Sequence, residues 1–300
     1  MMGSAIGELA AAAKVPLVCA ASDEGTIQIW NLSNQEKIGE IAVRFAFGAR
    51  NLAVHPGAES LVTGISKANG TILGYRMSSG QLMWQKNRMR YPARIRFAPS
   101  GEYLFCTLDN NRVERVDART GNTTELLQNT VQYIEGPAGH ALRIPAADSS
   151  YLLRHDEHEV SFPKLTFAVL DVSFGTNSLC ITESGGPVRC LDYLSGAERW
   201  RYTPPEGSHA LTLHYNGRDG FFYGIVWQYE KGNFRHLLRF EGETGQPSHV
   251  RDLNSWEEVF SEATQQLVTS SGEIIDLSSG EVAGQLAFPS KEYPDRFALT

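Results

Sequence analysis

One phrase recurs along this chain: a turn bearing Gly or Asn, a short alternating strand, a second turn with Ser/Thr-Gly, then another strand. It opens at Asp23 as DEGTIQIWNLSNQEKIGEIAV. It returns as ANGTILGYRMSSGQLMWQKN from Ala68, DNNRVERVDARTGNTTELLQ from Asp109 and SGGPVRCLDYLSGAERWRYT from Ser184. A longer copy, EKGNFRHLLRFEGETGQPSHVRDL, begins at Glu230, and SSGEIIDLSSGEVAGQLAF begins at Ser270. With the last residue of each inner strand as marker, Trp30, Tyr75, Val116, Leu191, Phe240 and Ile275 are separated by 45, 41, 75, 49 and 35 residues. The step of 75 is close to twice 38, so a degenerate unit belongs near residues 131–165, where YLLRHDEHEVSF offers two short strands around a charged turn.

Each unit also has an upstream half. ARNLAVHPGAESLVTGIS from Ala49 and ARIRFAPSGEYLFCTLD from Ala93 are both an alternating strand, a Pro/Gly turn and a second apolar strand. VLDVSFGTNSLCITES from Val169 repeats the form, and SWEEVFSEATQQLVTSS from Ser255 repeats it more weakly. Four short strands at a period of about 40 residues are the signature of a β-propeller. The expected fold is therefore all-β: one seven-bladed propeller of four-stranded antiparallel blades spanning 1–300. The inner halves of the blades are expected near 23–43, 68–87, 109–128, 150–165, 184–203, 230–253 and 270–288. The ring is expected to close by pairing of N- and C-terminal strands, since only closure removes a free sheet edge. YPDRFALT from Tyr293 echoes YPARIRFA from Tyr91 and is the preferred closing strand; AIGELAAAA at the N-terminus is the competing choice.

The chain resembles WD40-repeat propellers over nearly its full length, best in DEGTIQIWNL with LAVHPGAESLVTGIS after it. The units lack the family's Gly-His pair and do not end in Trp-Asp. DARTGNTTEL, YLSGAERWRY and MSSGQLMWQK lean instead toward quinoprotein-like propellers, in which a Thr/Ser-Gly turn is followed by a Trp that packs blade on blade. The resemblance implies a ring that acts as an assembly platform.

Several residue sets invite a chemical role. Cys19, Cys106 and Cys180 fall at the same position of three units and read as core, since a free Cys behaves as a small hydrophobe. Cys190 completes the four. Trp84 and Trp200 each follow a turn glycine, Gly80 and Gly196, by four residues and read as inter-blade anchors, while Trp30 ends a strand. Trp227 and Trp256 fall outside that pattern and are candidates for partner contact. KNRMRYPARIR carries Lys86, Arg88, Arg90, Arg94 and Arg96 around Tyr91, on a connection between units. On a chain of net charge −7 such a cluster could collect an acidic partner. Arg88, Arg90, Tyr91 and Arg94 are the leading candidates, placed on the face formed by inter-blade connections and middle-strand loops. His155, Asp156 and His158, in HDEHE, are the weak metal candidates, with His140 a third ligand only by assumption. The plainer reading of HDEHE is a solvated turn.

Composition excludes other classes. Apolar residues make up 42% and charged residues 20%, which supports a large core. Apolar runs fall short of the ~18 residues a membrane helix needs. The start, MMGSAIGELAAAAKV, has no cation before Lys14 and carries Glu8 within its apolar run, which makes a poor secretory signal. The acidic balance argues against a nucleic-acid partner. Four cysteines without a C-x-x-C give neither a zinc pattern nor a disulfide framework, and a cytoplasmic location is expected. The phosphate-loop, metalloprotease and nucleophile-elbow motifs are missing. The expectation is a non-enzymatic interaction scaffold with another protein as partner and no cofactor. Two readings stay open beside it: a quinoprotein- or lactonase-like cofactor-binding ring, and a dedicated inhibitor or immunity-type partner of one protein.

Overall fold

The computed structural model describes residues 6–288 apart from 23, 44–49, 66–69, 88–91, 109–110, 137–138, 146–150, 156–157, 163–168, 229–233 and 256. Its elements are 28 strands in seven four-stranded antiparallel sheets. Blade 1 holds β1 (Ile6–Ala11), β2 (Leu17–Ser22), β3 (Thr26–Asn31) and β4 (Glu36–Ala42), paired in that order. The six further blades repeat this up-and-down order over residues 50–86, 92–127, 130–162, 169–202, 208–253 and 258–285. The unit expected near 131–165 is thus a full blade of four strands. Among the described residues no helix is long and apolar enough to cross a membrane.

Two expectations are corrected. The first strands of neighbouring blades approach one another, β1 against those beginning at Arg50 and Glu258, and they line the ring axis. The fourth strands, such as β4 with its mostly exposed run, face outward. The segments 23–43, 68–87 and their equivalents are therefore the outer halves of the blades. Strand alternation reports which side of a sheet is buried, and it carries no information on which edge faces the axis. The second correction concerns closure. Blade 1 draws all four strands from the N-terminus, and AIGELAAAA supplies its innermost one. YPDRFALT lies outside the described residues.

Seven apolar clusters hold the ring, one at each junction. Ile27, Ile29 and Ile41 of blade 1 meet Leu52, Leu61 and Leu73 of blade 2. Val18 and Trp30 of blade 1 meet Val268 and Ile274 of blade 7, closing the circle by packing. The junction of blades 3 and 4 is the thinnest, with only Ala98, Phe105 and Val113 buried in its cluster. All four cysteines are buried free thiols, so Cys19, Cys106 and Cys180 are core as expected, although Cys106 lies one strand position past the other two and faces the preceding blade; burial pushes Cys19 up to about 12.

The tryptophans show how a blade grips the next. Trp84 of blade 2 donates its indole N–H to Ala118 O of blade 3 at 2.9 Å and lies against Gly121. Trp200 of blade 5 does the same to Gly242 O of blade 6 at 3.0 Å and lies against Gly245. In each case the glycine sits at positive φ in the turn before the outermost strand. An acidic residue starts several of these turns: Asp117, Asp192 and Asp276 accept backbone N–H bonds from Thr120, Ser195 and Ser279. The closing seam inverts the pattern. Gln35 takes the turn position at φ 60°, Gly284 takes the place of the packing side chain, and Gln35 bonds the blade 7 backbone at Ala283 and Gln285.

His214 of blade 6 is 5% exposed. It stacks on Phe260 with centroids 5.0 Å apart and meets Gln265 Oε1 at 3.3 Å. Burial, partly opposed by the Gln265 bond and by Asp219 and Asp171, holds its pKa down to about 4. The unfolded chain takes up this proton near pH 6.5 and the folded chain does so only near pH 4, so stability falls as pH drops through that window. The expected loss between pH 7 and pH 5 is about 2 kcal/mol from this group. Urea unfolding at the two pH values checks it: His214→Phe should flatten the difference, and an unchanged slope would refute the assignment.

Candidate functional site

Arg88, Arg90, Tyr91, Trp256 and Asp156 lie outside the described residues. The backbones of His155 and His158 are direct cross-strand partners closing the hairpin of β15 (Tyr151–His155) and β16 (His158–Phe162). Trp227 ends β22 (Phe221–Gln228) half-buried, with the Arg235 guanidinium 5.5 Å from its ring centroid. Arg235 in turn donates to Glu258 of blade 7 at 2.5 Å. Trp227 therefore packs within a blade 6–blade 7 tie.

Arg94 is not a surface cation awaiting a partner. It sits with Arg96 on β9 (Pro92–Phe97), the axial strand of blade 3, and both reach Asp171 on β17 (Val169–Phe174), the axial strand of blade 5. Arg94 donates to Leu170 O at 2.6 Å and Asp171 Oδ1 at 3.1 Å, and Arg96 donates to the same carboxylate oxygen. Leu213 N of blade 6 donates to Asp171 Oδ2 at 3.0 Å. One carboxylate thus joins three blades around the axis. About 35% of the Arg94 side chain still meets solvent. Burial and the neighbouring Arg96 lower its pKa to about 10. Alternating arginines on a strand look solvent-facing in sequence because the acceptor lies 75 residues away.

The opposite face, built from the turns after each first and third strand, holds a built recess. It is a cleft of about 530 Å³ at the thin junction of blades 3 and 4. Pro99 and Ser100 line one wall, with Tyr133, Glu135, His140 and Arg154 on the other. Tyr133 and Glu135 come from β13 (Thr130–Glu135), where the alternation of an axial strand puts them on one face. The Tyr133 hydroxyl meets Glu135 Oε1 at 3.5 Å. Burial raises the Glu135 pKa against the pull of Arg115, and raises Tyr133 to about 12. His140 is buried and stacks on Tyr193 of blade 5 at 4.2 Å. Beside Tyr193, Leu194 is 73% exposed, the most exposed large apolar side chain among the described residues. Tyr133, Glu135, Arg154 and Leu194 escaped the sequence reading because their grouping depends on which turns share a face.

Among the described residues one set brings metal-type ligands together: His236, His249 and Asp252 on the outer half of blade 6. The sequence offered His-x-x-Asp here, at His249 and Asp252, but the cross-strand register that adds His236 is not written in it.

Comparison with known proteins matches this geometry to a fold. The solved structure described as U3-55K superposes with a TM-score of 0.69 at 11% identity, covering 89% of this chain and 88% of that one. The WD40 repeats of RRP9 give 0.69 at 12% identity over 89% and 87%. The Cps50 (Swd1) β-propeller domain of Myceliophteria thermophila gives 0.68 at 10% identity over 93% and 95%. No family model and no curated protein matches the sequence. The chain thus has the WD40-type seven-bladed propeller fold, carried by a sequence far from those neighbours.

Proposed function

We propose that this ring is a protein-interaction scaffold and that the cleft between blades 3 and 4, together with the exposed Leu194 on the same ring face, is a contact surface for a partner protein. The observation that carries the reading is a recess of about 530 Å³ set in the ring face with Arg154 on its wall, on the same face as the exposed Leu194. A recess that seats one side chain, flanked by apolar surface, is the common form of an interface anchor. Arg88, Arg90 and Tyr91, expected among the inter-blade connections, are the competing contact set for an acidic partner.

The test is recovery of partners from native extract on the tagged ring, identified by mass spectrometry. The expected result is a specific protein retained by the wild type, reduced about tenfold by Arg154→Glu with Leu194→Asp, and unaffected by Arg88→Glu with Arg90→Glu. The reverse pattern would move the contact to the basic run. A ring that stays unbound and monomeric through cross-linking would overturn the scaffold reading.

A further inference from the structure

The outer half of blade 6 carries a second built feature, on different blades from the cleft. Asp252 on β24 (Pro247–Leu253) is the direct cross-strand partner of His236 on β23 (Phe234–Phe240), so the two share a face. His249 lies three residues before Asp252, which in a regular strand would point it to the opposite face. The register shift between Leu237 and Leu238 makes Val250 an extra residue and brings His249 back to the same side. As a result His236 Nδ1 and His249 Nε2 both meet one carboxylate oxygen, Asp252 Oδ1, at 2.6 and 2.8 Å. The ring centroids are 5.7 Å apart, and the three ligand atoms lie within 4.8 Å of one another.

The same three register positions in the neighbouring blade show what this place ordinarily does. In blade 5 they hold Arg189, Glu198 and Arg201, a carboxylate between two guanidiniums. In blade 1 they hold Gln28, Lys37 and Glu40, with Lys37 paired to Glu40. Those cations have no lone pair to offer. Blade 6 replaces them with imidazoles, which at neutral pH present a ring nitrogen as donor or as ligand. The second ring nitrogen of His236 adds a directional clue: Nε2 lies 3.4 Å from Gln228 Oε1. When Gln228 accepts the Nε2 proton, Nδ1 turns its lone pair on the Asp252 carboxylate, and a cation between the two acceptors removes the repulsion. A ligand imidazole held at its far nitrogen by an oxygen acceptor is the usual outer-shell arrangement of metal-binding histidines.

We propose that His236, His249 and Asp252 form a divalent transition-metal site of the zinc class on the rim of blade 6. Two imidazoles and one carboxylate suit Zn²⁺ and its neighbours, whereas Mg²⁺ and Ca²⁺ prefer all-oxygen sets. Binding requires each imidazole nitrogen to move from 2.6 or 2.8 Å to about 3.3 Å from the carboxylate oxygen. His249 and Asp252, 53% and 62% exposed, have the freedom to do so. The fourth position faces solvent and takes water. Any proton held between the rings and the carboxylate leaves on loading.

The experiment is calorimetric titration of ZnCl₂ into tag-free, chelator-stripped protein at pH 7.5. One ion per chain is expected, with no binding of Mg²⁺. His249→Ala and Asp252→Asn should each weaken binding about tenfold or more, and His155→Ala with His158→Ala should leave it unchanged. Unfolding midpoints in chelator report whether the variants stay folded, which exposed substitutions should do. Cobalt substitution adds a visible absorption band that must vanish in Asp252→Asn. Absence of saturable binding at one equivalent overturns the proposal. So does binding that survives His249→Ala or follows His155 and His158 instead.

Discussion

Replacing Trp200 by alanine is expected to destabilise the ring by about 3–5 kcal/mol, a large share of what holds a domain folded. Three contacts end together. The indole is 6% exposed and stacks on Phe240 of blade 6, with centroids 5.9 Å apart and planes 16° from parallel. Its edge meets Phe222 at 6.2 Å, and its N–H bond to Gly242 O at 3.0 Å is lost, leaving a half-buried carbonyl short of a donor. Strand repacking cannot fill the space, because Cys180, Cys190 and Val188 around it are pinned in the blade 5 ladder. Trp200→Phe separates the effects: it keeps most of the volume and should cost about 1–2 kcal/mol for the bond and the trimmed ring. The partner turn gives an independent reading. At Gly245 an added Cβ would fall 2.3 Å from the Trp200 ring, and φ there is +68°. Gly220 has φ +78° with nothing within 4 Å, so Gly220→Ala measures the backbone strain alone. Urea denaturation should place Gly245→Ala well below Gly220→Ala, and equal midpoints would show that the indole does not seat on this turn.

The parts of the ring that were legible in sequence are those built from local chemistry. Asp192, Ser195 and Gly196 form one turn within five residues, with Trp200 four residues on, so the unit announces itself wherever it recurs. The degenerate fourth blade was placed by the doubled spacing, with only the two short strands of YLLRHDEHEVSF to mark it. The seam was misread because Gln35 and Gly284 exchange the usual roles across it, which erases the motif where closure must be judged. The candidate sites were largely illegible for a different reason. Arg94 and Asp171, or His236 and Asp252, meet through blade order and strand register, and a period-2 pattern fixes neither. The basic run looked like a surface feature since nothing near it in sequence supplies an acceptor.

The second large effect is expected at Asp171. The carboxylate is 8% exposed and is the only acid in its bonding set: Arg96, Arg94 and the Leu213 N–H all donate to it. Burial by itself would raise its pKa; Arg96, then Arg94, then the Leu213 bond outweigh that, and the net shift is downward. A carboxyl held below its unfolded value of about 3.9 contributes stability that is present above that pH and is lost as pH falls through the folded value. Asp171→Asn keeps the shape and removes the charge, leaving two guanidiniums side by side on the axis. Breaking such a pair costs about 3–5 kcal/mol when fully buried, and the solvent reaching Arg94 places this one near the lower figure. The cost comes from the stranded cations more than from the lost attraction. Adding Arg94→Leu and Arg96→Leu to Asp171→Leu should therefore recover most of the stability, since a buried ionic cluster replaced whole by apolar side chains is often neutral. Urea midpoints of the single and triple variants decide it. A loss under about 1 kcal/mol in Asp171→Asn would mean that the arginines are satisfied by the solvent that reaches them, and that blades 3, 5 and 6 are held by their apolar junctions alone.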